Sequence, residues 1–143
     1  MKGTLFCIVL LFVISTSAGF AAEPVPLDGF IKITSTLLDK FDLLDQTARR
    51  GNFNQFNNSE LQEKFDDIRT LLKEYEHYSS DTVNAWPDGE QKEIASALFE
   101  INFLYRAYSM SQDNQFRHKA EEGLKKVRED FRQYVIHAVP GRR

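Results

Sequence analysis

The chain has 143 residues, room for one domain, and carries 18 Lys and Arg against 21 Asp and Glu, a formal net charge of −3. That mild acidity argues against general nucleic-acid binding, which calls for a basic surface. Cys7 is the only cysteine, so neither a disulfide framework nor a cysteine-ligated metal site is available.

The first residues read as an export signal. Lys2 precedes an unbroken apolar run from Leu5 to Ile14, followed by small residues from Ser15 to Ala22. The run is too short to span a membrane, and the pattern is that of a secretory signal peptide. Gly19-Phe20-Ala21 puts small residues at both recognition positions, so residues 1–21 are expected to be cleaved. Cys7 leaves with them, and the mature chain, at −4, is expected to be periplasmic or secreted and free of thiols. Its charge is uneven. From Asp113 onward there are eight basic and five acidic residues, a local +3.

Residues 22–27 hold two prolines and are expected to form an extended leader. Asp28 is placed to cap a first helix over 28–50, in which Phe30, Thr34, Leu37, Phe41, Leu44 and Ala48 recur at threes and fours. Gly51 suits the left-handed residue beyond its end. Asn52 to Asn58 is an amide-rich link with two phenylalanines, Phe53 and Phe56. Ser59-Glu60-Leu61-Gln62 matches the capping-box pattern and opens a second helix over 59–78, with Leu61, Phe65, Ile68, Leu72 and Tyr75 on one face. Trp86, the only tryptophan, is expected to seal one end of the core, with Pro87 and Asp88 starting a third helix over 88–110. Asp113 caps a fourth over 113–138, which buries Phe116, Ala120, Leu124, Val127, Phe131, Tyr134 and Ala138. Residues 140–143 form a basic tail. Four amphipathic segments, short links and no strand-like alternation predict an all-α fold, an antiparallel up-down four-helix bundle.

The third helix has more apolar sides than one core uses. At about 100° per residue, Ile94, Ala97, Leu98, Ile101, Leu104, Tyr105 and Tyr108 share one broad sector. Phe99, Phe103 and Met110 fall roughly opposite, flanked by Arg106 and Glu100. Exposed, such a stripe anchors a partner. Phe53 and Phe56, or the proline-rich leader, are the segments of the chain able to cover it instead.

Chemistry is sparsely provided. Gly-x-Ser-x-Gly, a glycine-rich phosphate loop and His-Glu-x-x-His are all absent. Glu100 has no second carboxylate placed to make an acid–base pair. Glu74 and His77 fit Glu-x-x-His, but a carboxylate-bridged metal site needs two such motifs and inward glutamates. No enzyme, cofactor or metal is therefore expected. In size, export route and architecture the chain resembles the soluble periplasmic b-type cytochromes, which place a histidine late in the last helix, as His137 is here. Their methionine ligand has no counterpart between Asp28 and Leu38, Met110 lies toward the other end, and Cys-x-x-Cys-His is missing. Leu98-Phe99, then apolar residues at turn spacing, then Ser111-Gln112-Asp113 is also similar to the passage between the last two helices of PsbQ-like extrinsic subunits of photosystem II.

The leading expectation is a non-enzymatic exported bundle that binds a protein partner, or itself, through Phe99, Phe103, Arg106 and Met110, with Lys125, Arg128 and Arg132 steering an acidic partner. The alternative is a periplasmic small-ligand or haem carrier of the four-helix cytochrome type, its ligand held near Tyr75, Tyr105, Tyr108 and Tyr134.

Overall fold

The computed structural model describes residues 23–139; the expected signal peptide and basic tail lie outside them. The described residues form four α-helices, α1 (Leu27–Arg49), α2 (Ser59–Ser79), α3 (Glu90–Ser111) and α4 (Asn114–Ala138), with a short 3₁₀ turn at Val83–Ala85 and no strand. Contacts are most extensive between α3 and α4 and between α1 and α2. Contacts of α1 with α4 and of α2 with α3 complete the set, and α1 also touches α3.

Two of the four helices, α2 and α4, begin at a side-chain cap, and the starts do not all fall where the sequence pattern suggested. Pro26, with φ at −54°, precedes α1, and its carbonyl accepts from Phe30 N at 2.9 Å. Asp28 makes no cap hydrogen bond; it sits in the first turn, where negative charge suits the helix start. Asn58, not Ser59, caps α2, its side chain accepting from Leu61 N at 3.2 Å. Pro87 and Asp88 lie before α3, whose N-cap is Gly89. Asp113 caps α4 as expected, accepting from Gln115 N at 2.9 Å. At the end of α1, Gly51 takes φ +78°, a conformation that glycine adopts without strain.

The predicted stripes form the core. Phe30, Leu37, Phe41, Leu44, Leu61, Phe65, Ile68, Leu72, Leu98, Ile101, Ala120 and Val127 are all buried. Phe116, Phe131, Ala97 and Leu104 are only half-buried and pack against its rim. On α4, Gly123 allows close approach to α3, since a Cβ there would lie 3.2 Å from Ile101 Cγ1.

Both ends of this core are closed by residues outside the helices. Phe53, fully buried, stacks on Tyr108 at 5.1 Å and meets Phe65 edge-on at 5.9 Å. Its carbonyl accepts from the side-chain amide of Gln112. At the opposite end Trp86 lies edge-on to Tyr75 at 5.9 Å and donates its indole N–H to Ser79 Oγ at 2.9 Å. Val25 of the leader is buried beside this end, held at both its backbone groups by Gln91. Val25 N donates to Gln91 Oε1 at 3.1 Å, and Gln91 Nε2 donates to Val25 O at 2.9 Å. The same Nε2 also faces Tyr134 Oη at 3.0 Å and Glu23 Oε2 at 3.1 Å, so two hydrogens serve three oxygens. The Tyr134 hydroxyl donates to Glu23 at 2.8 Å.

Two predictions follow from this packing. Gln91→Ala leaves the buried Val25 N–H and C=O without partners, and unsatisfied buried groups cost roughly 1–3 kcal/mol each. Urea unfolding should show a loss of about 2 kcal/mol or more; a loss below about 0.5 kcal/mol would contradict the clamp. The second prediction concerns alkali. Burial, assisted by the Glu23 carboxylate, pushes Tyr134 up to about 12. Burial likewise raises Tyr75 and Tyr105. The unfolded chain loses these protons near its ordinary value of about 10 while the folded chain keeps them, so stability is fully present below about pH 10. It should fall as the pH rises through about 12, measured as a drop in urea midpoint that Tyr134→Phe makes shallower.

Candidate interaction surface on the third helix

α3 is engaged along both flanks. Toward α4, Ala97, Ile101 and Leu104 border a surface cleft of about 480 Å³ together with Gly123 and Val127. On the other flank, toward the first link and α2, Ser109 Oγ donates to Gln55 Oε1 of that link at 2.9 Å. Arg106 lays its guanidinium 4.8 Å from the Phe65 ring centroid and points Nη2 at Phe65 O, 3.4 Å away. Between these flanks a strip of α3 faces outward.

The four residues singled out in the sequence are divided by this arrangement. Phe103 and Met110 lie on the outward strip, each 65% exposed. They are two helical turns apart, about 10 Å along the axis. Phe99 is turned toward α2: it is half-buried, packs on the rim of the core and borders a cleft of about 190 Å³ with Glu76, Thr82, Val83 and Asn84. Arg106 is half-buried on the same side. Neither loop nor leader covers the outward strip. Phe53 and Val25 go into the core, and Phe56 stands 74% exposed on its link. The other large exposed apolar side chains, Leu43, Tyr78 and Ile136, lie singly on α1, α2 and α4. Glu100, exposed, and Arg106 stand on opposite sides of Phe103, and among the described residues neither forms an ion pair.

Two of the basic side chains singled out on α4 are already engaged by carboxylates of the chain. Arg128 pairs with Asp42 and donates to Leu38 O at 3.1 Å, and Arg132 is held by Glu129 at 2.6 Å. That bond, with a second from Gln133, holds the Glu129 carboxyl down to about 2. The interior tyrosines are committed too. Tyr75 Oη lies 2.8 Å from Thr34 Oγ1, and Tyr105 donates to Asp45 at 2.8 Å. Their rings pack on Phe30 and Phe41, at 5.5 and 6.3 Å between centroids. His77 and His118 are exposed, and the His137 side chain is 66% exposed, 3.8 Å from Glu90. Among the described residues no group of three His, Cys, Asp or Glu is placed to hold a metal ion.

Three polar residues of α3 escaped the sequence reading. Gln91 and Ser109 are buried, and Asn102 hides a side-chain oxygen that has no hydrogen-bond partner among the described residues. Gln91 stands three residues before Ile94 and Ser109 four after Tyr105, so helical spacing already puts both on the core side. No family model matches the chain, and neither a curated protein nor a solved structure does. Because a buried unpaired acceptor is unfavourable, Asn102→Leu should raise stability by about 1 kcal/mol. A rise in urea midpoint with unchanged slope is the expected reading, and a fall would show that the amide is satisfied in solution.

Proposed function

We propose that this is a non-enzymatic exported protein, an up-down four-helix bundle that acts by binding another protein chain through the outward strip of α3. The observation that carries the reading is the 65% exposure of both Phe103 and Met110 on a helix whose two flanks are already occupied. Hiding a phenylalanine or methionine side chain is worth about 1.5–3 kcal/mol, and a partner is the natural source of that cover. Arg106 sits beside the strip, and Phe99 supports it from the α2 side.

Export is supported by Lys2, the apolar run Leu5 to Ile14 and the small residues at Gly19 and Ala21. Glu23, whose carboxylate is already bonded to Tyr134 and Gln91, comes just after the proposed cleavage point. The up-down arrangement is supported by the pairing of sequential helices and by the contact of α1 with α4. The start of α1 also meets the end of α2 through Phe30 and Tyr75.

The test uses Phe103→Ser with Met110→Ser. Both side chains are mostly exposed, so stability should change by no more than about 0.5 kcal/mol. Association, whether with a partner cross-linked in extracts of the native host or with a second copy, should be lost. Association indifferent to the double substitution would refute this reading.

A further inference from the structure

We infer that Asn57 carries an N-linked oligosaccharide, added to the exported chain in a eukaryotic secretory route from a lipid-linked diphosphate donor. The inference rests on the chain being exported, and it concerns the first link, not the strip on α3. Asn57-Asn58-Ser59 matches Asn-x-Ser/Thr with x other than proline, the acceptor pattern for this modification. The other six asparagines have no serine or threonine two residues on, so the pattern singles out Asn57. It lies where the link between α1 and α2 closes, with Ser59 the first residue of α2. Asn57 and Ser59 are both exposed, and among the described residues neither side chain has a hydrogen-bond partner. Asn58, between them, is spent on the fold. Its Oδ1 accepts from Leu61 N and its Nδ2 donates to Asn52 O, each at 3.2 Å. Asn57 is held through its backbone, its N–H donating to Asn54 O at 3.3 Å in the turn. The fold presents the acceptor amide and the hydroxyl and claims neither.

The step is a group transfer without oxidation or reduction. Asn57 Nδ2 forms a bond to the anomeric carbon of the donor sugar. The bond from that carbon to the diphosphate oxygen breaks, and its electron pair leaves with the lipid diphosphate. Nδ2 gives up one of its two hydrogens as a proton. A transferase of the secretory route provides the site, and Ser59 supplies the hydroxyl that completes the acceptor pattern. The finished fold has room for the product. An oligosaccharide is bulky and solubilising, which suits an exposed link and not a packed helix face. Phe56, the residue before, is 74% exposed, more than any other large apolar side chain described. A sugar chain rooted on its neighbour screens that ring from other proteins. The exposure of Phe56 then has a different reason from that of Phe103 and Met110.

Mass spectrometry of the protein purified from its native host tests this, before and after treatment with a peptide N-glycosidase. In the tryptic peptide 51–64 the enzyme should release one oligosaccharide and leave Asp in place of Asn57. Asn57→Gln and Ser59→Ala, made in the full chain with its own signal and secreted from eukaryotic cells, should each lose the glycan completely. Ser59→Thr should keep it, since threonine also completes the pattern. Neither side chain is bonded in the fold, so Asn57→Gln and Ser59→Ala should keep the urea midpoint of the enzymatically deglycosylated wild type. Loss of the glycan is then not loss of the protein. An unmodified Asn57 in the native protein, or a glycan that survives either of these substitutions, would overturn the inference. If the unmodified native chain lacks residues 1–21, the glycan fails while export stands. If it retains them, both readings fall.

Discussion

Helices can hide their apolar sides from one another, but not the two ends of the core between them. Closing those ends is the constraint on which this structure depends. Phe53 closes one end from the first link, and Trp86, with Val25 beside it, closes the other from the second link and the leader. Each closing segment is irregular backbone, whose polar groups need partners once buried. Glutamines at the two ends of α3 supply several of them. Gln91 holds Val25, and Gln112 holds the carbonyl of Phe53. Gln112 does so from φ +57°, a conformation glycine would adopt at less cost. A glycine there would lack the amide that fixes Phe53. α3 is thus committed at its two ends and along two flanks, which leaves its outward middle as the surface not claimed by the fold.

Polar contacts join the helices beside this apolar packing. Tyr105 on α3 donates to Asp45 on α1, and Asp45 also holds Arg49 at 2.7 Å. Arg49 reaches Glu121 on α4 at 3.5 Å, where Arg117 is already bound at 2.5 Å. Bonding to Asp45 raises Arg49 above the usual guanidinium value. Exposed pairs of this kind add little energy singly. Their use here lies in orientation, because Tyr105 can bury its ring only where its hydroxyl finds an acceptor.

Much of this was legible in the sequence. Phe30, Thr34, Leu37, Phe41, Leu44 and Ala48 on α1, and Leu61, Phe65, Ile68, Leu72 and Tyr75 on α2, stand at helical spacing and are all buried. The all-helical class follows from such stripes. Periodicity is silent about what lies outside a helix, so it did not separate Phe53, which is buried, from Phe56, which is exposed. Which of two rings in a link is swallowed depends on the space beside Tyr108, a tertiary fact. The spacing that puts Gln91 on the core side does not reveal its partner, which is the backbone of Val25 in the leader and not another periodic residue. On α3, angles placed Phe103 and Met110 outward, but they overstated Phe99. It lies at the border between the outward side and α2, where a few tens of degrees decide whether a side chain packs or protrudes.

Trp86 has an optical consequence. As the chain's sole indole, it stands against Tyr75 and is hydrogen-bonded to Ser79 at the end closed with Val25. Intrinsic fluorescence from this molecule is therefore a local gauge, sensitive to release of the leader or loosening of that end. A chain landing on the middle of α3 would leave its emission unchanged, so a silent titration is no sign that nothing has bound.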